Sequence, residues 1–145
     1  MKYGIDINSE KISSFITDKL KSKGNFIVNF NEKNSISTGR TLLKKVLIAY
    51  ITKIDFYFAI DFKENIVASE IFYSECDCSI LIGRKLLNIF DDILQEVICE
   101  KGEHLYLIKN IDAPVVYIRI PLEEKEKLEE FVINKIITLL ESIKI

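Results

Sequence analysis

Few side chains of this sequence combine chemical reactivity with an apolar setting, and Arg119, in the stretch PVVYIRIP (114–121), is the most conspicuous. A guanidinium keeps its proton at any ordinary pH, so burying it without carboxylate partners costs several kcal/mol. Acidic partners are therefore expected nearby. Asp61, near the end of DFYFAIDF, and Glu10, in DINSEK, are the acids that fall at comparable positions. The plainer alternative is an end-of-strand arginine whose stem packs while its head reaches water. Three cysteines, Cys76, Cys78 and Cys99, lack the two spaced pairs of a structural zinc site. Cys76 and Cys78 could form a metal or redox pair, but small residues leading into a helix explain them more simply, and all three read as reduced thiols. His104, the only histidine, opens an apolar run and reads as structural.

The elements that must position these residues follow from apolar periodicity. Lys2 to Asp6 reads as a strand, and Ser9 to Lys23 as a helix with Ile12, Phe15, Ile16 and Leu20 inward, stopped at Lys23-Gly24. Phe26 to Phe30 is a second strand. The polar connection NEKNSISTG leads to a helix carrying Leu42, Leu43, Val46, Leu47 and Tyr50. DFYFAIDF is apolar on both faces, as in a central covered strand, and Ala68 to Tyr73 is expected to pair antiparallel. A long helix is expected within Cys78 to Glu100, with a capping box over Ser74 to Asp77. Strands at His104 to Ile108 and Val115 to Ile120 precede a closing helix from about Glu123 to Lys144, whose charged run LEEKEKLEE is its solvated face.

Strands alternating with helices imply an α/β three-layer sandwich: a mixed, mostly parallel sheet of about six strands covered by helices on both faces. Function is then expected at the carboxyl ends of the parallel strands, where Asp6 to Glu10, Asp61 and Arg119 fall. Period-two alternation puts Asp55, Tyr57, Ala59 and Asp61 on one face, and Val115, Tyr117 and Arg119 on one face, so Asp61 and Arg119 could meet.

The 145 residues, 48% hydrophobic, fit a single domain spanning 1–145. A net charge of −2 with interspersed signs gives no footprint for nucleic acid or an anionic membrane. The opening MKYGIDINSEK lacks the apolar run of a signal peptide, and no later segment has the ~20 apolar residues of a membrane span. A cytoplasmic protein is expected, with later release only if something else provides it.

The order of motifs resembles the catalytic domain of the zinc-dependent N-acetylmuramoyl-L-alanine amidases, the Amidase_3 family of peptidoglycan hydrolases, over nearly the whole chain. YGIDI matches its opening strand. TLLKKVLIAYITKIDFYFAIDF is similar to its serine-leucine-arginine helix running into a serine-isoleucine-histidine strand. ASEIFY is similar to its glycine-x-glutamate-x-tyrosine strand, and GEHLYLIKNIDAPVVYIRI to its last strand, which begins Pro-Ala and ends Val-Glu.

The resemblance implies zinc held by two histidines and a glutamate, with a catalytic glutamate nearby that moves a proton from the acidified water to the leaving amine. Position by position, most of that set is missing. The loop and histidine after the first strand are absent from DINSEK, and Glu10 stands where the ligand glutamate would. The second ligand histidine falls on Asp61, the catalytic glutamate falls on Arg119, and His104 aligns outside the metal set. The expectation is a degenerate, inactive member with no catalytic residue and no cofactor. Its old site would hold a metal-free ion cluster of Glu10, Asp61 and Arg119, in which the arginine fork accepts both carboxylates. Glu10 and Asp61 alone would be weak zinc ligands, held beside a cation. Such a pseudoenzyme would serve as a binding or interaction module for a protein partner or a cell-wall fragment, with no nucleic acid and no membrane involved. The alternative is an active peptidoglycan amidase, cutting between N-acetylmuramic acid and L-alanine with an atypical metal site. A remnant that only docks or dimerises would show a large exposed apolar patch on one helix.

Overall fold

The computed structural model describes residues 1–31 and 38–144, leaving out the side chains of 38 and 39. Most of the connection NEKNSISTG lies outside the described residues. The first strand, β1 (Lys2–Ile7), leads to α1 (Glu10–Ser22), and β2 (Phe26–Asn29) to α2 (Thr38–Thr52). The strands β3 (Phe56–Lys63) and β4 (Ser69–Tyr73) precede α3 (Asp77–Asp91) and β5 (Val97–Lys101). A short α4 (Tyr106–Asn110), β6 (Val115–Pro121), a 3-10 turn (Leu122–Lys127) and α5 (Glu130–Glu141) complete the chain.

The strands form one six-stranded sheet in the order β2-β1-β3-β6-β4-β5. The first four run parallel, β4 lies antiparallel to β6, and β5 is parallel to β4. The sheet is thus mixed and mostly parallel, with helices on both faces, as the sequence predicts.

Alternation along the central strands divides their side chains between two cores. Ile5 and Ile7 of β1, Phe58 and Ile60 of β3, and Ile118 and Ile120 of β6 pack with α1, α3 and α5. Tyr57, Ala59 and Val115 face the other way, toward Ala49 of α2 and Leu107 and Ile108 of α4. The first layer is thicker because three amphipathic helices share it. Ser9 caps α1 by accepting the Ile12 N–H at 3.4 Å, and Gly24, at φ 90°, reverses the chain where few other residues would be unstrained. The first strand is tied to the last helix by the Tyr3 hydroxyl, which donates to the Leu140 carbonyl at 2.7 Å. Lys23 and Glu141 pair at 2.9 Å beside it.

Four expectations are corrected. The helix placed within Cys78 to Glu100 stops at Asp91, and Val97–Lys101 is the edge strand β5. Its short apolar run continued the helical stripe, and the pairing with β4 overrides that periodicity. His104 to Ile108 is no strand: Gly102 to Leu105 turns into α4, which closes over the second core. The closing helix is broken at Leu128, with a 3-10 turn before it. The capping box also fails, because Cys76 precedes α3 and Ser74 lies too far back. The Ser74 hydroxyl instead accepts the Val115 N–H at 2.9 Å and pairs with the Ser79 hydroxyl at 2.8 Å.

The turn into α4 has no room for a side chain at Gly102. A Cβ there would overlap Ile108 and come within 2.8 Å of the Phe72 Cβ, which the sheet holds in place. Gly102→Ala is therefore expected to lower stability by about 1–3 kcal/mol, read as a lower urea midpoint at unchanged slope.

Candidate functional site

At the carboxyl edge of β1, β3 and β6, the face toward α2 and α4 carries Asp6, Asp61, Tyr117 and Arg119, with Tyr57 one turn of the pleat inward. The same alternation that buries Ile5, Ile60 and Ile118 on the thick side turns these polar groups to the thin side. Asp6 is buried, and Lys45 of α2 reaches it at 2.9 Å, while the Tyr57 hydroxyl also donates to it. Asp61 accepts from the Asn8 side-chain amide at 3.0 Å and from the Tyr117 hydroxyl at 3.1 Å. Asn8 is clamped to the end of β3: its amide donates to the Phe62 carbonyl at 3.0 Å, and its carbonyl accepts the Phe62 N–H at 2.8 Å. The short link DINSEK thereby folds over the strand end.

Asp61 and Arg119 are register partners across β3 and β6, so the sequence-predicted neighbours do share a face. The ion pair seen at Arg119 is with Glu70 of β4, its other cross-strand partner, at 4.0 Å. The guanidinium also lies over two rings, 5.4 Å from the centroid of Phe72 and 5.6 Å from that of Tyr117, and its buried Nε has no hydrogen-bond partner. Half-buried on aromatic faces, it is held more by rings than by a carboxylate fork. Glu10 opens α1 beyond the same edge, with its side chain exposed. His104 stands on the turn before α4, exposed and edge-on to Phe72 at 5.6 Å.

The tyrosines act here as donors. Burial, reinforced by the charge of Asp6, pushes the Tyr57 hydroxyl well above its ordinary value. Burial and the charge of Asp61 do the same to Tyr117, against a smaller opposing pull from Arg119. Both hydroxyls keep their protons and donate to carboxylates, so neither supplies a base at neutral pH. A shallow apolar pocket beside Tyr117 and Arg119 is walled by Leu42 of α2 and by residues 105–108 around α4. Chemically, the face offers hydrogen bonds, one cation over rings and an apolar wall.

Two features escaped sequence reasoning. Lys45 is the charged partner of the buried acid; its signal was a lysine in register with Leu42, Val46 and Ala49, on the side of α2 that faces the sheet. The other is apolar surface on α2, where Leu43, Leu47, Tyr50 and Ile51 are exposed, the last two to 77% and 74%.

No family model matches the sequence, and no curated protein matches it. Solved structures do. The catalytic domain of the CD27L endolysin targeting Clostridia difficile superposes with a TM-score of 0.77 at 12% identity, covering 100% of this chain and 99% of that one. The CwlD amidase of Clostridioides difficile, solved in complex with the GerS lipoprotein, gives 0.62 at 17% identity over 96% and 93% of the two chains. The N-acetylmuramoyl-L-alanine amidase AmiC2 of Nostoc punctiforme gives 0.67 at 11% identity over 97% and 92%. At these identities the likeness shows the fold, which is amidase-like.

Proposed function

We propose that this amidase-like domain is a recognition module in which paired side chains have replaced a zinc centre, and that it binds a protein partner or a cell-wall fragment without hydrolysing it. The observation that carries this reading is the state of the carboxylates at the sheet edge. One oxygen of Asp6 takes both the Lys45 ammonium and the Tyr57 hydroxyl, and both oxygens of Asp61 accept hydrogen bonds. A zinc ion set among them would displace those donors and stand close to two fixed cations, Lys45 and Arg119. The donor set does not fit zinc, which prefers imidazole, thiolate and carboxylate turned toward one point. Among the described residues no three of His, Cys, Asp and Glu are grouped closely enough to hold a metal ion.

In this reading Arg119 is the centre of the old site. Its charge stands where the resemblance puts a catalytic glutamate, and the ion cluster is proposed to extend from Glu70 and Asp61 toward Glu10. The exposed apolar stripe on α2 supports a protein as the partner, because a helix apolar on both its sheet-facing and outer sides is ordinarily covered. Among the described residues no helix is long and apolar enough to cross a membrane.

Metal content and hydrolysis test the proposal together. Protein purified without chelator is expected to contain well under 0.1 zinc per chain, roughly the level of nonspecific carry-over for a site without imidazole donors. Added zinc should leave its melting temperature unchanged, and purified peptidoglycan should release no peptide with or without zinc. Near-stoichiometric zinc accompanied by peptide release would replace this reading with that of an atypical amidase.

A further inference from the structure

The three cysteines are not equivalent. Cys76 and Cys78 flank the start of α3 with their sulfurs 3.6 Å apart, whereas Cys99 lies on the edge strand β5. Cys76 precedes the helix in extended backbone (φ −146°, ψ 156°), and Cys78 is in the first turn. The Cys76 thiol donates to the Ser79 hydroxyl at 3.1 Å, and Ser74 Oγ lies 3.9 Å from it. Both cysteines are half-buried rather than sealed in the core. A disulfide needs the sulfurs at ~2.05 Å, about 1.5 Å closer than they stand.

We propose that Cys76 and Cys78 form a dithiol site that reacts with small-molecule disulfides and closes to an intramolecular disulfide at the start of α3. The Cys76 thiolate attacks one sulfur of the external disulfide. The new S–S bond joins Cys76 to half of the reagent, and the other half leaves as a thiolate that takes up a proton. Cys78 then loses its proton to solvent and attacks the Cys76 sulfur, expelling the second half of the reagent, which is protonated in turn. Two protein thiols are oxidised and one external disulfide is reduced to two thiols.

The surroundings assign the two roles. Burial alone would raise the Cys76 thiol, but hydrogen bonds from the hydroxyl and backbone N–H of Ser79, joined by those of Cys78 and Ser74, together outweigh it and hold the group below its ordinary value. Burial and the neighbouring Cys76 push Cys78 up to about 11. Once Cys76 is in a mixed disulfide its charge is gone, which frees Cys78 to ionise and attack. Burial raises Cys99 as well, and it has no sulfur partner among the described residues. Closure would act on the joint between β4, α3 and β6, since three hydrogen bonds join Ser74 to Val115 there: the Ser74 N–H donates to the Val115 carbonyl at 3.0 Å, the Ser74 hydroxyl to the same carbonyl at 3.3 Å, and the Val115 N–H to the Ser74 hydroxyl at 2.9 Å. This joint is at the opposite end of β6 from Arg119.

The test is to expose the intact reduced protein to oxidised glutathione, label the remaining thiols with a maleimide at timed intervals and read the intact mass and peptide map. Cys76 and Cys78 should be lost together, at least about tenfold faster than Cys99, which stays labelled. Cys78→Ser should stop at a stable glutathione adduct on Cys76, and Cys76→Ser should leave Cys78 about as slow as Cys99. Serine is close in size to cysteine, and circular dichroism checks that both variants fold. Equal rates at all three thiols, or wild-type protein that accumulates glutathione adducts without an internal disulfide, would overturn the proposal.

Discussion

Lys45→Ala is expected to destabilise the domain by about 3–5 kcal/mol, a large part of the roughly 5–15 kcal/mol available to a protein of this size. The carboxylate of Asp6 is 7% exposed and its lysine partner 16%, so neither charge is well solvated. Removing the ammonium leaves a buried carboxylate with the Tyr57 hydroxyl as its remaining donor among the contacts described. The double variant Asp6→Asn/Lys45→Met separates this from lost packing. It removes both charges while keeping the aliphatic reach of the lysine, and should recover most of the loss, giving strong coupling in the cycle. Urea denaturation of wild type, Asp6→Asn, Lys45→Met and the double variant gives the coupling, and Lys45→Ala is measured beside them. A Lys45→Ala cost below about 1 kcal/mol, the range of exposed ion pairs, would mean that Asp6 is hydrated in solution.

The second large effect is in alkali. Tyr57 and Tyr117 are held well above the ordinary tyrosine value, mainly by burial and then by Asp6 and Asp61, and Tyr3 is raised to about 12, mainly by burial. In the unfolded chain these hydroxyls ionise near pH 10, while the folded protein still holds their protons. Between about pH 10 and the folded values the unfolded state binds fewer protons, so stability falls as pH rises. The contribution is fully present below about pH 10 and is lost as pH climbs through the folded values. Each tyrosine contributes a slope of up to about 1.4 kcal/mol per pH unit, so three together approach about 4. Cooperative unfolding is expected before about pH 12, with tyrosinate absorbance appearing in the same transition. Tyr117→Phe should flatten the slope by about a third. Tyrosinate absorbance that rises near pH 10 while the fold persists would show that these hydroxyls are open to solvent.

The sequence revealed the architecture where an element is long and its pattern has one face. Ile12, Ile16 and Leu20 of α1 and the doubly buried run of β3 left little choice, and they sit in the core as expected. It misled where an element is short and its state is decided by a distant partner. VICEK is a strand because β4 offers it an edge, and YLIKN is a helix because Gly102 lets the chain turn onto Phe72. The site was legible to the same degree. Strand alternation correctly put Asp61 and Arg119 on one face, yet the partners seen at that face include Glu70, Asn8 and two aromatic rings, which depend on sheet order and on the path of a link. Lys45 could be found only by asking which lysine of α2 faces inward, a question that requires knowing what the helix covers.

The bond from the Tyr3 hydroxyl to the Leu140 carbonyl also bears on how the domain can be handled. Because the first strand and the last helix are fastened together, with Lys23 and Glu141 paired beside them, the chain enters and leaves the fold at neighbouring points. A domain with that geometry can be set into a surface loop of a host protein as a cassette, or circularly permuted by joining its ends with a short linker and reopening it in an exposed turn such as 64–67. A permuted form would keep the paired carboxylates and the dithiol joint intact, since reopening at 64–67 leaves β1, β3, β6 and the start of α3 unbroken.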